Sequence, residues 1–203
     1  MYVARILYPV KVLGPGNRIG IWVSGCNHRC KGCSNPELWK QEERYKITKE
    51  KFRELVLSIS SKFKIDGFTL TGGDPFFDLE SLEQILSVIY SLSDDILVYT
   101  GYTIEKLQKD EKCSKILSKI AVLIDGPYIE DKNENVFLRG SSNQKILILN
   151  DKYRDKYENY ISSGYNQIQN FVSKSGFISV GIHNKGYEST IDESLNIHSI
   201  TTS

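Results

Sequence analysis

Ile19-Gly20-Ile21-Trp22-Val23-Ser24-Gly25-Cys26-Asn27-His28-Arg29-Cys30-Lys31-Gly32-Cys33 is the stretch on which the reading of this chain turns. Its first five residues follow the turn Gly14-Pro15-Gly16-Asn17 and read as a strand that empties into a loop holding three cysteines. A second unit of the same shape lies downstream. Phe68-Thr69-Leu70-Thr71 is a short strand ending in Gly72-Gly73-Asp74-Pro75. Two polar, glycine-containing loops thus follow two strand ends.

Between these units, Thr48 is a helix N-cap, and Phe52, Leu55, Val56 and Ile59 recur at the spacing of one buried helical face ending near Lys62. Leu82, Ile85, Leu86 and Ile89 mark a second face. Ile96 to Tyr99 is a third strand, followed by Thr100-Gly101-Tyr102 and a helical stretch with Leu107, Ile116 and Leu117. Ala121 to Ile124 is a fourth, followed by Asp125-Gly126-Pro127, and Ile146 to Leu149 is one more after the polar loop Arg139 to Gln144. Alternating strands and helices demand crossover connections, so an α/β fold with a largely parallel, helix-covered sheet is predicted, with ligands at the carboxyl ends of its strands. Residues 1–150 form the core of this reading. Residues 151–203 are an elaboration of the same domain, with a helix face at Tyr153, Tyr157 and Tyr160, a break at Ser162-Ser163-Gly164 and a closing strand at Phe177 to Ile182.

At 203 residues with 40% hydrophobic content, the chain can build one sizeable core. Lysine and arginine total 26 against 25 acidic residues, a net charge of +1, so no global field draws it to nucleic acid or anionic lipid. The apolar runs fall far short of a membrane span, and the N-terminus lacks a signal-peptide pattern, so a cytoplasmic protein is expected.

Cys26, Cys30 and Cys33 form C-x3-C-x2-C, while the fourth cysteine, Cys113, lies far away on a helix and is not expected to be a ligand. Clustering of this kind suits a metal centre in a reducing compartment better than a disulfide framework. A structural zinc site normally takes four ligands, and no second cysteine pair exists here; His28 would complete one if the loop turned it inward. An iron–sulfur cubane with three protein thiolates leaves one iron open to an exogenous group, which is the requirement for chemistry at the cluster.

With Gly-Gly-Asp-Pro after the second strand, this cysteine loop resembles the radical S-adenosylmethionine superfamily. Asn17-Arg18 after a Gly-Pro-Gly turn, residues 24–33, Thr71 to Pro75, Tyr99 to Tyr102, Leu123 to Gly126 and Arg139 to Gln144 together resemble the branch that activates anaerobic ribonucleoside-triphosphate reductases. The resemblance implies a partial (β/α) barrel of the radical SAM type, with a 4Fe-4S cluster on Cys26, Cys30 and Cys33. The open iron would bind S-adenosyl-L-methionine, whose reductive cleavage gives methionine and a 5′-deoxyadenosyl radical. Gly72 and Gly73 would lie against the methionine amino group, with Asp74 in the acidic position. Gly32, Cys33 and Ser34 would contact the cofactor through their backbone, and Thr100 would meet its ribose or carboxylate. Asn35 would cap its turn, and Trp39 would be core or a cover over the site.

Asp125 is read either as orienting cofactor or electron donor or as closing a turn, and Arg139 with Ser141 to Gln144 either as a donor cluster or as a hydrogen-bonded loop. Isolated histidines such as His183 and His198 are read as exposed or structural. The implied activity is installation of a glycyl radical on a large partner, the anaerobic ribonucleotide reductase, with electrons from an external one-electron donor such as flavodoxin or ferredoxin. Two alternatives stay open. One is a radical enzyme acting on a small molecule, like 7-carboxy-7-deazaguanine synthase, with residues 151–203 as lid; the other is a non-enzymatic iron–sulfur electron carrier.

Overall fold

A computed structural model describes residues 1–173, 176–185 and 187. A six-stranded sheet runs β1 (Val3–Val10), β2 (Arg18–Val23), β3 (Gly67–Gly72), β4 (Ile96–Tyr99), β5 (Val122–Asp125) and β6 (Lys145–Ile148), in that spatial order. The inner pairs β2·β3, β3·β4 and β4·β5 are parallel, and both edge strands are antiparallel to their neighbours. Strands β2, β4 and β5 are buried almost along their whole length because both faces of the sheet are covered, which is why they read as continuous apolar runs.

The crossovers are α1 (Lys49–Ser60), α2 (Leu79–Ile89) and a pair, α3 (Ile104–Leu107) and α4 (Glu111–Leu117). Thr48 caps α1 as expected, its side chain accepting from Lys51 N. The helical stretch read around Leu107 to Leu117 is two short helices, because Asp110 turns its carboxylate onto Cys113 N at 2.8 Å and starts a new one. The buried face of α1 is narrower than its periodicity suggests: Phe52 and Val56 are buried, whereas Leu55 is 37% exposed. Strand order never reverses, so right-handed crossovers deposit their helices on one face of the sheet. There Phe52 and Val56 of α1, Ile85 and Ile89 of α2 and Ile116 of α4 pack with Ile19, Ile21, Leu70 and Val98 in one core.

The other face carries two smaller cores. Leu97, Val122 and Ile124 meet Tyr157 of α5 (Arg154–Ser163), and Val10, Leu13, Trp22 and Leu38 meet Val180. Val180 belongs to β8 (Gly176–Gly181), which pairs antiparallel with β7 (Ile168–Ser173) in a separate two-stranded sheet. The expected closing strand at Phe177 to Ile182 therefore exists, as half of a hairpin laid on the sheet and not as a further strand of it. Gln169 holds the hairpin down, donating to Pro9 O at 2.7 Å and accepting from Lys11 N at 3.0 Å. His198 lies outside the described residues. Among those described, no helix is long and apolar enough to cross a membrane.

At the amino ends of the parallel strands sits a fully buried arginine. Arg18 opens β2 and donates to Thr69 Oγ1 (2.8 Å), to the carbonyls of Pro15, Phe68 and Asp95, and to Asp95 Oδ1 (3.1 Å). Asp95 also accepts from Tyr157 Oη and Lys156 Nζ, each at 2.6 Å. This network ties three neighbouring strands and α5 together at the end opposite the cysteine loop.

Candidate active site

The chain leaves β2 at Val23 and is stitched at once to the segment after the cysteines: Gly25 N donates to Leu38 O (2.8 Å) and Cys26 N to Trp39 O (2.9 Å). The loop between is therefore closed at its base, and Arg29 adopts a left-handed φ of 48° to complete it. Its outer flank meets the end of β3, where Gly73 N donates to Val23 O and Asp74 N to Gly25 O, both at 2.8 Å. Only glycines fit this seam. A Cβ on Gly72, whose φ is +105°, would stand 2.6 Å from Val23 O, and one on Gly73 would stand 2.5 Å from Gly25 O.

Asp74 is buried and held by four neighbours. Oδ1 accepts from Phe76 N (2.9 Å) and Thr100 Oγ1 (2.9 Å), and Oδ2 accepts from Gly101 N (2.9 Å). His28 Nε2 stands 2.9 Å from Oδ2, out of hydrogen-bonding alignment, with its ring edge-on to Tyr102. The acidic residue both caps the turn Pro75–Phe77 and joins the ends of β3 and β4 to the cysteine loop.

A cavity of about 190 Å³ opens over these carboxyl ends, lined by Cys26, Cys30, Cys33, Ser34, Gly72, Gly73, Asp74 and Thr100 among others. The structure thus brings together all but one of the residues expected there. Gly32 is the exception: it is exposed at the loop's outer turn and does not line the cavity. Thr100 does line it, but its hydroxyl is committed to Asp74. Trp39 forms part of the wall, in keeping with a cover. Asn35 does not cap its turn; its Oδ1 accepts from Arg5 Nη1 instead. Asp125 takes the turn-closing role, accepting from Ile104 N at 2.7 Å to start α3. The 139–144 segment is the hydrogen-bonded loop, with Arg139 Nη1 on Gln144 O, Gln144 Nε2 on Gly126 O and Asn143 Nδ2 on Pro127 O.

The three loop cysteines are free and half-buried, whereas Cys113 is buried on α4, away from the cavity. Burial raises the thiols of Cys26 and Cys30 above the ordinary range, opposed by the N–H groups of His28 and Arg29 at Cys26 and of Tyr128 at Cys30. His28 N lies 3.4 Å from Cys26 Sγ, and Asn35 N lies 3.4 Å from Cys33 Sγ. Among the described residues, no three His, Cys, Asp or Glu side chains converge on a single ion. Three free thiols on the wall of one cavity are the donor set that a 4Fe-4S cubane with one open iron takes. One buried polar atom on a cavity-lining residue, Trp39 Nε1, lacks a hydrogen-bond partner, as expected where a polar ligand is to sit.

Sequence reasoning reads Phe177 to Ile182 as a closing strand and His183 as exposed or structural, and names none of them as a site residue, yet Ser179 to His183 line the cavity. Nothing in the local pattern of this segment marks it, since its place is set by packing on Trp22 and Leu13.

Site and fold together define an iron–sulfur protein: residues 12–147 match the family described as a 4Fe-4S single cluster domain. The anaerobic ribonucleoside-triphosphate reductase-activating protein of Vibrio cholerae is 34% identical over 147 residues, covering 68% of this chain and 93% of that protein. Those of Escherichia coli (33%; 68% and 94%) and Enterobacteria phage T4 (34% over 145 residues; 69% and 90%) are similar to the same degree. The chain belongs to this family of activating proteins.

Proposed function

We propose that the chain is a radical SAM oxidoreductase, an activase that installs a glycyl radical on an anaerobic ribonucleoside-triphosphate reductase. Cys26, Cys30 and Cys33 hold a 4Fe-4S cluster in this reading, and the observation that carries it is that these free thiols share one cavity with the Gly72-Gly73-Asp74 seam at the carboxyl ends of parallel strands. When bound, the cluster and S-adenosyl-L-methionine supply a reductive cleavage to methionine and a radical that takes a hydrogen atom from a glycine of the partner.

The protein's own residues bind, orient and exclude water. The backbone N–H groups of His28 and Asn35 meet the sulfurs of Cys26 and Cys33, where such bonds would tune a cluster's potential. An ammonium group of the cofactor is a donor and would be met by carbonyl oxygens and the Asp74 carboxylate, while the N–H groups of Gly73 and Asp74 are spent on Val23 O and Gly25 O. Thr100 and Gly101 N fix that carboxylate in advance of binding, and Ser34 offers backbone beside Cys33. Trp22, Trp39 and Tyr99 wall the cavity against bulk water.

The unreversed order of parallel strands, with crossover helices on one face, supports a partial (β/α) barrel of the radical SAM type. Residues 151–203 belong to the same domain as the 1–150 core, the reductant is an external one-electron donor of the flavodoxin or ferredoxin kind, and the setting is the cytoplasm. Electron paramagnetic resonance on the reduced, anaerobically reconstituted protein tests the reading. A 4Fe-4S signal that changes shape with S-adenosylmethionine, and a glycyl radical on adding the reductase, are expected. A signal indifferent to the cofactor would sink it.

A further inference from the structure

The family match ends at residue 147, and the activating proteins of V. cholerae and E. coli are almost fully covered by about two thirds of this chain. The β7–β8 hairpin lies beyond that shared segment, yet Ser179, Val180, Gly181, Ile182 and His183 line the cavity described above. It is firmly seated there. Val180 is 2% exposed and packs with Val10, Leu13, Trp22 and Leu38, with Ile178 and Ile182 against the same cluster. Polar ties complete the attachment: Gln169 to Pro9 and Lys11, Asn133 Nδ2 to His183 O at 3.0 Å, and Asn166 Oδ1 accepting from the buried Leu138 N at 3.0 Å.

We infer that this hairpin completes the cofactor cavity in this chain and forms the wall for its nucleoside end. The inference rests on the radical SAM reading, in which the amino-acid end lies at the cluster and the Gly72–Asp74 seam and leaves the adenosyl group to the remaining walls. Those walls suit a purine nucleoside. Val180 and Ile182, beside Trp22 and Leu13, are the apolar surface a flat base packs on. Ser179 stands at the centre of a small polar group, 3.1 Å from His183 Nε2 and 2.9 Å from Tyr187 Oη, with the ring of His183 stacked on Tyr187 at 4.3 Å. The Ser179 hydroxyl, held in this way on the cavity wall, offers a polar group to a ribose hydroxyl or a ring nitrogen.

The test separates the two ends of the cofactor, using 5′-deoxyadenosine and methionine as independent probes on the reconstituted full-length chain. In Ser179→Ala/Ile182→Ala, 5′-deoxyadenosine affinity should fall at least tenfold while methionine affinity stays within twofold and iron and sulfide content is unchanged. Ser179→Ala alone, a smaller perturbation, should weaken 5′-deoxyadenosine about threefold or more, and it carries the test should the double variant lose its cluster. Unchanged 5′-deoxyadenosine binding overturns the inference, as does equal weakening of both probes. A variant that keeps both affinities but no longer generates a glycyl radical with the reductase would make the hairpin a partner-docking element instead. If the parent binds neither probe, the radical SAM reading itself has failed, which is a different result.

Discussion

Replacing Arg18 by methionine should be among the most damaging single changes in the molecule, although it lies at the opposite end of the sheet from the cysteines. The guanidinium is fully buried and its donors are spent on Thr69 Oγ1, three carbonyls and the Asp95 carboxylate. Methionine keeps the approximate length of the side chain but satisfies none of these acceptors. Removing one partner of a buried ion pair costs about 3–5 kcal/mol, because the other charge stays behind without compensation. Lys156, itself partly exposed, softens the loss through its contact with Asp95 Oδ2 but cannot reach the carbonyls that Arg18 serves. For a chain of this size each kcal/mol lowers the melting temperature by about 2–4 °C, so a fall of roughly 6–20 °C is expected.

Urea and thermal unfolding followed by circular dichroism, on cluster-free and cluster-loaded protein, would measure it. In the double variant Arg18→Met/Asp95→Leu the orphaned charge is gone, so its loss should fall short of the sum of the single losses by about 2–3 kcal/mol. Acid adds an independent check. Burial alone would push the Asp95 carboxyl up, but Arg18, Lys156 and Tyr157 outweigh it and hold it below the ordinary carboxylate value. Its contribution is therefore present above that ordinary value and lost as pH falls through the depressed one, so the stability gap between Arg18→Met and the parent should narrow as the solution is acidified through that range. A single variant within about 1 kcal/mol of the parent, or strictly additive losses, would refute the reasoning.

Alanine at Cys26, Cys30 or Cys33 should abolish the cluster, read as iron and sulfide content, whereas Cys113→Ala should leave it intact. Gly73→Ala places a methyl group 2.5 Å from Gly25 O and must open the seam between the two loops. We expect a stability loss of about 1–3 kcal/mol and no binding of S-adenosylmethionine by equilibrium titration. Thr100→Val removes one charge-assisted hydrogen bond from Asp74 while keeping the shape of the side chain. Cofactor affinity should fall about tenfold with cluster content unchanged, and an unaltered affinity would show that Asp74 needs no such support.

The parallel core was legible because strands buried on both faces are written as short apolar runs, and Ile19 to Val23, Phe68 to Thr71 and Ile96 to Tyr99 fall within strands of the sheet. Strand β1 was not. All but its last residue are only partly buried, so its sequence shows neither a continuous run nor a clean alternation. Strand β7 is hidden for the same reason, with Gln169 and Asn170 inside it and Val172 87% exposed. The cysteine trio announced itself by spacing, as local chemistry does. Arg18 gave no comparable signal, because a charged residue opening a strand reads as surface and its carboxylate partner lies 77 residues away. Ser179 to His183 reach the cavity only through the docking of a hairpin, which no local pattern encodes.

The C-terminal segment has a foot at each end of the sheet, and the two feet carry different weight. Tyr157 of α5 reaches the amino ends of the strands and donates to Asp95 at 2.6 Å, while β8 reaches the carboxyl ends and the cavity. Arg18 and Asp95 lie within the segment shared with the family, and Tyr157 lies beyond it. If the shared segment is the self-sufficient part of the fold, the Arg18–Asp95 pair is its internal bond and Tyr157 a later reinforcement. Tyr157→Phe removes one hydrogen bond to a charged acceptor and leaves the ring in its core, a loss of about 1.5–3 kcal/mol. It should therefore destabilise less than Arg18→Met in the same unfolding assay. Equal losses would mean that α5 is as integral to the amino-end network as the strands themselves, and that the fold of this chain depends on residues past the family boundary.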